Sequence, residues 1–216
     1  MPNQGKFIVF EGLDGCGKTT QLEFLRERLA SMCRPARVRK VFTTREPSDS
    51  VPGLICRGIS KKTIFVQRET EALLFAADRY EHIHNEVLPQ LQTGNHVLCD
   101  RYYFSNFAYQ SPETSMETLC SYNTAAMRLL RADMTIFIDV PPEECEKRRA
   151  AERATEEKWD NVERAKIIRE QYFKAFERMK ESETVLIVNG IGDPKDIFES
   201  YWVKLNHVLL TEADYA

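Results

Sequence analysis

The chain has 216 residues, enough for one sizeable core and too few for two ordinary domains. With 30 Lys+Arg against 33 Asp+Glu the net charge is −3, which removes the bulk electrostatic reason to expect a nucleic-acid partner. No apolar run approaches the ~18 residues that span a bilayer, and the opening MPNQGK lacks the basic and apolar parts of a secretion signal, so no membrane is expected.

The first element is KFIVF (6–10), a continuous apolar run of the kind that forms a strand buried on both faces of a parallel sheet. GLDGCGKT follows at once and fits G-x-x-x-x-G-K-[ST]. Gly12, Gly15 and Gly17 allow a tight turn whose N–H groups point inward at phosphate oxygens. The helix starting near Lys18 adds its positive end, with Leu22, Leu25 and Leu29 at helical spacing behind it. Lys18 is expected to reach the β- and γ-phosphates, and Thr19 to offer its hydroxyl to Mg²⁺. Leu13, Asp14, Cys16 and Thr20 complete the stretch expected to hold a nucleoside triphosphate, a site that GTPases, ATPases and kinases share. A thiol at a helix start has a lowered pKa, so Cys16 is expected to react with thiol reagents. The six cysteines form no CxxC pair and read as reduced thiols in a cytoplasmic compartment.

Next come a weaker strand, VRKVFTT (38–44), and the turn FTTREPSD, in which Pro47 bends the chain at the sheet's carboxyl edge, where ligands of open α/β sheets bind. A long helical pattern over 68–91 carries Phe75 and Arg79 four apart, hence on one face. The strand HVLCD (96–100) runs into DRYYFSNFAYQ, and a helix over 116–130 precedes the strand MTIFIDV (134–140). The most charged segment, 142–181, leads to the last strand, TVLIVNG (184–190). Strand-helix alternation of this kind implies right-handed crossovers in a three-layer α/β sandwich with a five-stranded parallel sheet. A single domain over 1–216 is expected, with a lid at about 146–160.

GLDGCGKTTQ, TREP, LLFAADR and DRYYFSNFAYQ stand in the order and spacing of the thymidylate kinases, and over roughly 6–190 the chain resembles that family. The resemblance implies a P-loop NTPase fold of the nucleoside monophosphate kinase type, transfer of the ATP γ-phosphoryl group to dTMP, and a homodimer. It places Asp14 at the deoxyribose 3′-hydroxyl, Tyr109 where a 2′-hydroxyl would clash, Gln110 and Ser105 beside the base, and Asp100 near the metal. Arg148 corresponds to the residue that packs over adenine. Chemistry adds that a dianionic acceptor wants guanidinium groups, for which Arg45 and Arg101 are the candidates. Phe75 would stack on a pyrimidine and Arg79 donate to a base carbonyl, the alternative for Asp78 and Arg79 being a solvated ion pair.

Some members of the family carry a basic residue where Gly15 stands, and others use lid arginines instead. Arg153, with Arg149 second, is the expected source of that charge here. The alternative is a solvated helix laced with glutamate pairs. Two other functions remain open on the sequence: a deoxynucleoside kinase acting on a neutral hydroxyl, and an ATP-binding module with a dead acceptor site.

Overall fold

A computed structural model of the chain describes residues 5–32, 40–152 and 161–209. The order is β1 (Phe7–Glu11), α1 (Lys18–Met32), β2 (Val41–Arg45), α2 (Val51–Ser60), α3 (Arg68–His82), a π-helical turn (Ile83–Val87), α4 (Leu88–Gln92) and β3 (His96–Asp100). Then follow α5 (Tyr103–Gln110), α6 (Met116–Leu129), β4 (Met134–Asp139), α7 (Pro142–Glu152), α8 (Val162–Met179), β5 (Val185–Asn189) and α9 (Pro194–Leu209). The five strands form one sheet in the order β2-β3-β1-β4-β5, and every pairing is parallel. The expected α/β architecture is therefore present, with α1 and α9 packed together in one helical layer and α3, α5, α6 and α8 in the other.

β1 is fully buried, as an apolar run between two neighbours must be. β5 was expected to be equally buried, but it is an edge strand, and Ile187 is half exposed. Leu22, Leu25 and Leu29 all reach the core, as their spacing required. Pro89 breaks the long helical pattern over 68–91: it has no N–H, and Leu88 N–H bonds to Ile83 O, five residues back, to make the π turn.

Three helices lie outside the expected pattern. In α2, Ser50 caps the first turn by accepting from Gly53 N–H, with Pro52 just inside. Asp193 Oδ1 accepts from Lys195 N–H at the start of α9. α5 begins directly after the β3 motif.

Register sets up the site. Phe10 pairs with Asp100 across β1 and β3, and Arg45 pairs with Asp100 across β2 and β3. The carboxyl ends of three adjacent strands thus finish level, beside the switch in strand order around β1, where such folds bind ligands.

Candidate active site

Two clefts open at this rim. The first, of about 500 Å³, is lined by the glycine loop, Lys18, Thr19, Thr20, Asp100, Arg101, Arg148 and the turn after β5. Gly15 and Gly17 have φ of +81° and +95°, values that L side chains resist, so the loop depends on glycine at both. α1 starts at Lys18, whose Nζ donates to the carbonyls of Gly12 at 3.2 Å and Leu13 at 2.9 Å. Leu13 itself is core, and Thr20 is exposed on the first turn. Arg148 donates to Gly190 O at 3.2 Å, so its guanidinium bridges α7 to the turn after β5 on the cleft wall. Asp100 Oδ1 is buried with no hydrogen-bond partner among the described residues, an arrangement that costs free energy unless a cation or donor satisfies it. With the Thr19 hydroxyl on the same cleft, the donor set is hard oxygen, which fits Mg²⁺.

The second cleft, of about 410 Å³, is lined by Arg45, Glu46, Pro47, Phe75, Arg79, Tyr102, Ser105, Asn106, Tyr109 and Gln110 among others. Asp14 and Arg101 line both clefts. Arg101 NH2 donates to Asp14 Oδ1 at 2.6 Å and to the Tyr109 hydroxyl at 3.2 Å, which lies 3.3 Å from the other Asp14 oxygen. Arg101 has φ of +73°, rare for a residue with a Cβ and a recurrent sign of a functional position. Its backbone is fixed by donation to Phe10 O at 2.8 Å.

Arg101 is carried by groups the sequence pattern did not reveal. Its NH1 donates to Ser105 Oγ at 2.9 Å, and Ser105 in turn donates to Glu11 Oε2 at 2.6 Å. Glu11 is wholly buried and also accepts from Tyr102 N–H at 2.8 Å and the Tyr172 hydroxyl at 2.9 Å. Burial pushes its carboxyl above the ordinary value, against the pull of Arg101. Ser105 lines the second cleft and its hydroxyl also links Arg101 to Glu11.

Arg79 is not a solvated partner of Asp78. It is 1% exposed, and its NH2 lies 2.7 Å from Glu46 Oε2. Asn123 and Asn106 accept from NH1, while Nε has no partner among the described residues. Asp78 is buried too and does something else: it accepts from Ser48 N–H at 2.9 Å, Ser48 Oγ at 2.5 Å and Ser50 Oγ at 2.9 Å. It thereby pins the turn after β2, whose Glu46–Pro47 peptide is cis, to α3. Gln110 is held by donation to buried Glu71 at 3.2 Å and acceptance from Asn106 at 3.0 Å. Phe75 and Arg79 share the cleft face that their spacing implied. Arg45 is exposed at the strand end, 3.9 Å from Asp49.

Two expectations change. Cys16 is 1% exposed, and burial pushes its thiol above the ordinary value despite nearby Lys18, so the reactivity expected from the helix start is overturned. Arg149 is absent from the lining of the first cleft: it is buried, pairs with Glu146, and lies against Asp14 and Tyr109. Its stem covers Gly15 so closely that a Cβ there would sit 2.8 Å from Arg149 Cγ. Arg153 and the part of the expected lid from 153 to 160 lie outside the described residues.

Glu46, Glu11, Asn106, Asn123 and Tyr172 are the residues that sequence reasoning missed. Glu46 carried a signal as the middle of REP, and Asn106 as part of DRYYFSNFAYQ, four residues before Gln110. The others come together from segments far apart in the chain.

Comparison with known proteins places these clefts in context. The family model for thymidylate kinase matches residues 10–198. A probable thymidylate kinase of Thermococcus onnurineus is 36% identical over 214 residues, covering 94% of this chain and 98% of the relative. One from Pyrococcus horikoshii is 37% identical, covering 96% and 98%. A thymidylate kinase of a Thermoanaerobacter species is 38% identical over 177 residues, covering 79% of this chain and 83% of the relative.

Proposed function

The chain belongs to the thymidylate kinase family, and from that premise we propose that its two clefts hold ATP and dTMP for the reaction ATP + dTMP → ADP + dTDP. The observation that carries this reading is that Asp14 and Arg101 line both clefts. Two phosphorylated ligands bound there meet at one guanidinium group.

The protein's work is alignment and charge. Loop amides and Lys18 hold the donor phosphates, and Arg45 and Arg101 grip the acceptor phosphate, bringing the two in line. An acceptor phosphate is already nucleophilic near neutral pH, so no general base is needed. Thr19 and Asp100 are the residues to hold Mg²⁺, which supplies Lewis-acid stabilisation of the transferred charge when bound. Phe75 stacks on the pyrimidine, and Arg79, on the same face of the cleft, is the donor for a base carbonyl. Arg148 packs over adenine. Arg153 is the candidate to supply the positive charge that the loop lacks, with Arg149 second, since Arg149 would first have to leave its pairing with Glu146.

Glu46 speaks against a hydroxyl acceptor. A base for a neutral hydroxyl should be free, whereas this carboxylate is buried in an ion pair with Arg79. Selection of thymine over uracil rests on a pocket for one methyl group, worth about 1–3 kcal/mol, so dUMP is expected to be a poor substrate. The homodimer belongs to the same proposal: Val51 and Leu54 of α2 and Leu73 and Tyr80 of α3 are exposed apolar residues on neighbouring helices. No helix among the described residues is long and apolar enough to cross a membrane, and the five described cysteines are free thiols, which supports a cytoplasmic setting.

The test is ADP release with dTMP, dUMP, other monophosphates and thymidine in turn. Rapid release with dTMP and little with thymidine supports the reading. Release with thymidine alone, or none with any acceptor, would overturn it.

A further inference from the structure

His82, at the end of α3, is 1% exposed and lies behind the acceptor cleft without lining it. Its Nδ1 is 3.3 Å from Glu46 Oε1, and a carboxylate can only accept, so Nδ1 carries a proton. Its Nε2 is 2.7 Å from Thr44 Oγ1. The Thr44 hydroxyl also lies 3.0 Å from Glu86 Oε2, so it can donate to that carboxylate while accepting from a protonated Nε2. Each ring nitrogen thus faces an oxygen able to accept from it, and the carboxylates of Glu46, Glu86 and Asp78 around the ring favour the imidazolium form.

The charges then alternate along one line: Glu86, His82, Glu46, Arg79. Glu86 Oε2 is 3.6 Å from His82, and Glu46 Oε2 is 2.7 Å from Arg79. The π turn that Pro89 forces carries Glu86, one turn beyond His82, onto the same end of β2 as Thr44. Without a cation at position 82, two carboxylates would face each other through a neutral ring, and Glu46 would lose one of its two partners.

We propose that His82 is a positioning residue for base recognition: as an imidazolium it fixes the Glu46 carboxylate that holds Arg79 at the acceptor base. This rests on the assignment of the second cleft to dTMP. The groups facing His82 are Thr44 of β2, Glu46 of the turn after it, Asp78 of α3 and Glu86 of the π turn. The Cys99 thiol of β3, the Tyr102 hydroxyl and Arg79 surround Glu46 behind them. Burial works against the charge on His82, and Glu46, Glu86 and Asp78 together outweigh it, holding its pKa above 6.5. A raised pKa means that the effect is complete below the ordinary value and is lost as pH rises through the raised one.

The experiment measures kcat and the KM for dTMP and for ATP from about pH 6 to about pH 9 in the wild type, His82→Leu, His82→Asn, Arg79→Gln and the Arg79→Gln/His82→Leu double variant. In the wild type the dTMP KM is expected to rise severalfold as His82 loses its proton. His82→Leu should raise that KM by roughly tenfold at low pH and flatten its pH dependence, with kcat and the ATP KM within about twofold. His82→Asn keeps a donor at the Nδ1 position without a titrating charge, so its KM should be intermediate and equally flat. Adding His82→Leu to Arg79→Gln should cost little more than Arg79→Gln alone. If His82→Leu does not fold, the flat profile of His82→Asn decides the matter. A wild-type dTMP profile retained in His82→Asn, additive costs in the double variant, or equal changes in both KM values would overturn the proposal. A wild-type enzyme that ignores dTMP would instead overturn the assignment of the cleft.

Discussion

The donor cleft and the acceptor cleft are built on opposite plans. The cleft assigned to the donor is anchored by one continuous stretch, 12 to 20, whose backbone turn is the feature suited to phosphate and whose Leu13 faces the core, with Asp100, Arg101, Arg148 and the turn after β5 completing its wall. The cleft assigned to the acceptor also draws on one stretch, 101 to 110, but through its side chains and not its backbone. Its working groups are side chains held by buried partners from distant segments, as Arg79 is by Glu46 and Asn123, and Arg101 is through Ser105 by Glu11. A backbone cradle serves any phosphate, whereas discrimination between bases needs charged and polar groups fixed in a dry pocket, each of them costly to leave unpaired.

The contrast can be broken most sharply at Lys18. Replacement by Ala should lower kcat/KM by about 10³-fold, through kcat more than through the dTMP KM, since the charge it supplies is needed most in the transition state. Arg101 joins the two sides, so Arg101→Ala should be nearly as severe, on the order of 10²-fold, and should raise both KM values. A change in one KM alone would separate the clefts. Asp78→Ala tests whether the acceptor side depends on its buried support. Removing three accepted hydrogen bonds should cost about 2–3 kcal/mol and lower Tm by roughly 5–10 °C, read by calorimetry. The smallest effect is expected at Cys16: with the thiol buried and its pKa raised, labelling of the folded enzyme near neutral pH should be slow with or without ATP. Fast labelling blocked by nucleotide would restore the reactive thiol that the loop position suggested.

The same contrast explains what was legible in the sequence. The phosphate loop could be read because its function depends on local geometry, glycines and a helix start at fixed offsets. The strands could be read because burial on both faces forces continuous apolar runs, which is why β1 and β3 were plain and the edge position of β5 was not. α2 and α9 were announced only by their caps, Ser50 with Pro52 and Asp193 with Pro194, which are easily passed over between stronger signals. The ion pair of Arg79 could not be read, because its partner lies 33 positions away and becomes a neighbour only when β2 and α3 pack. Asp78 and Arg79 adjoin in sequence and were open to reading as a pair, yet adjacent residues on a helix point to different surfaces. Cys16 shows the same limit: burial, which the sequence does not display, raises its thiol's pKa by more than the helix start and Lys18 lower it.

The central claim is that one chain holds two phosphorylated nucleotides end to end across Arg101. A molecule joining adenosine to thymidine through a chain of phosphates tests it directly by calorimetry and competition kinetics. It should bind once per chain, compete with both ATP and dTMP, and lose affinity in Arg101→Ala by at least as much as either nucleotide alone. Competition with ATP only, or two separable binding events per chain, would contradict the account.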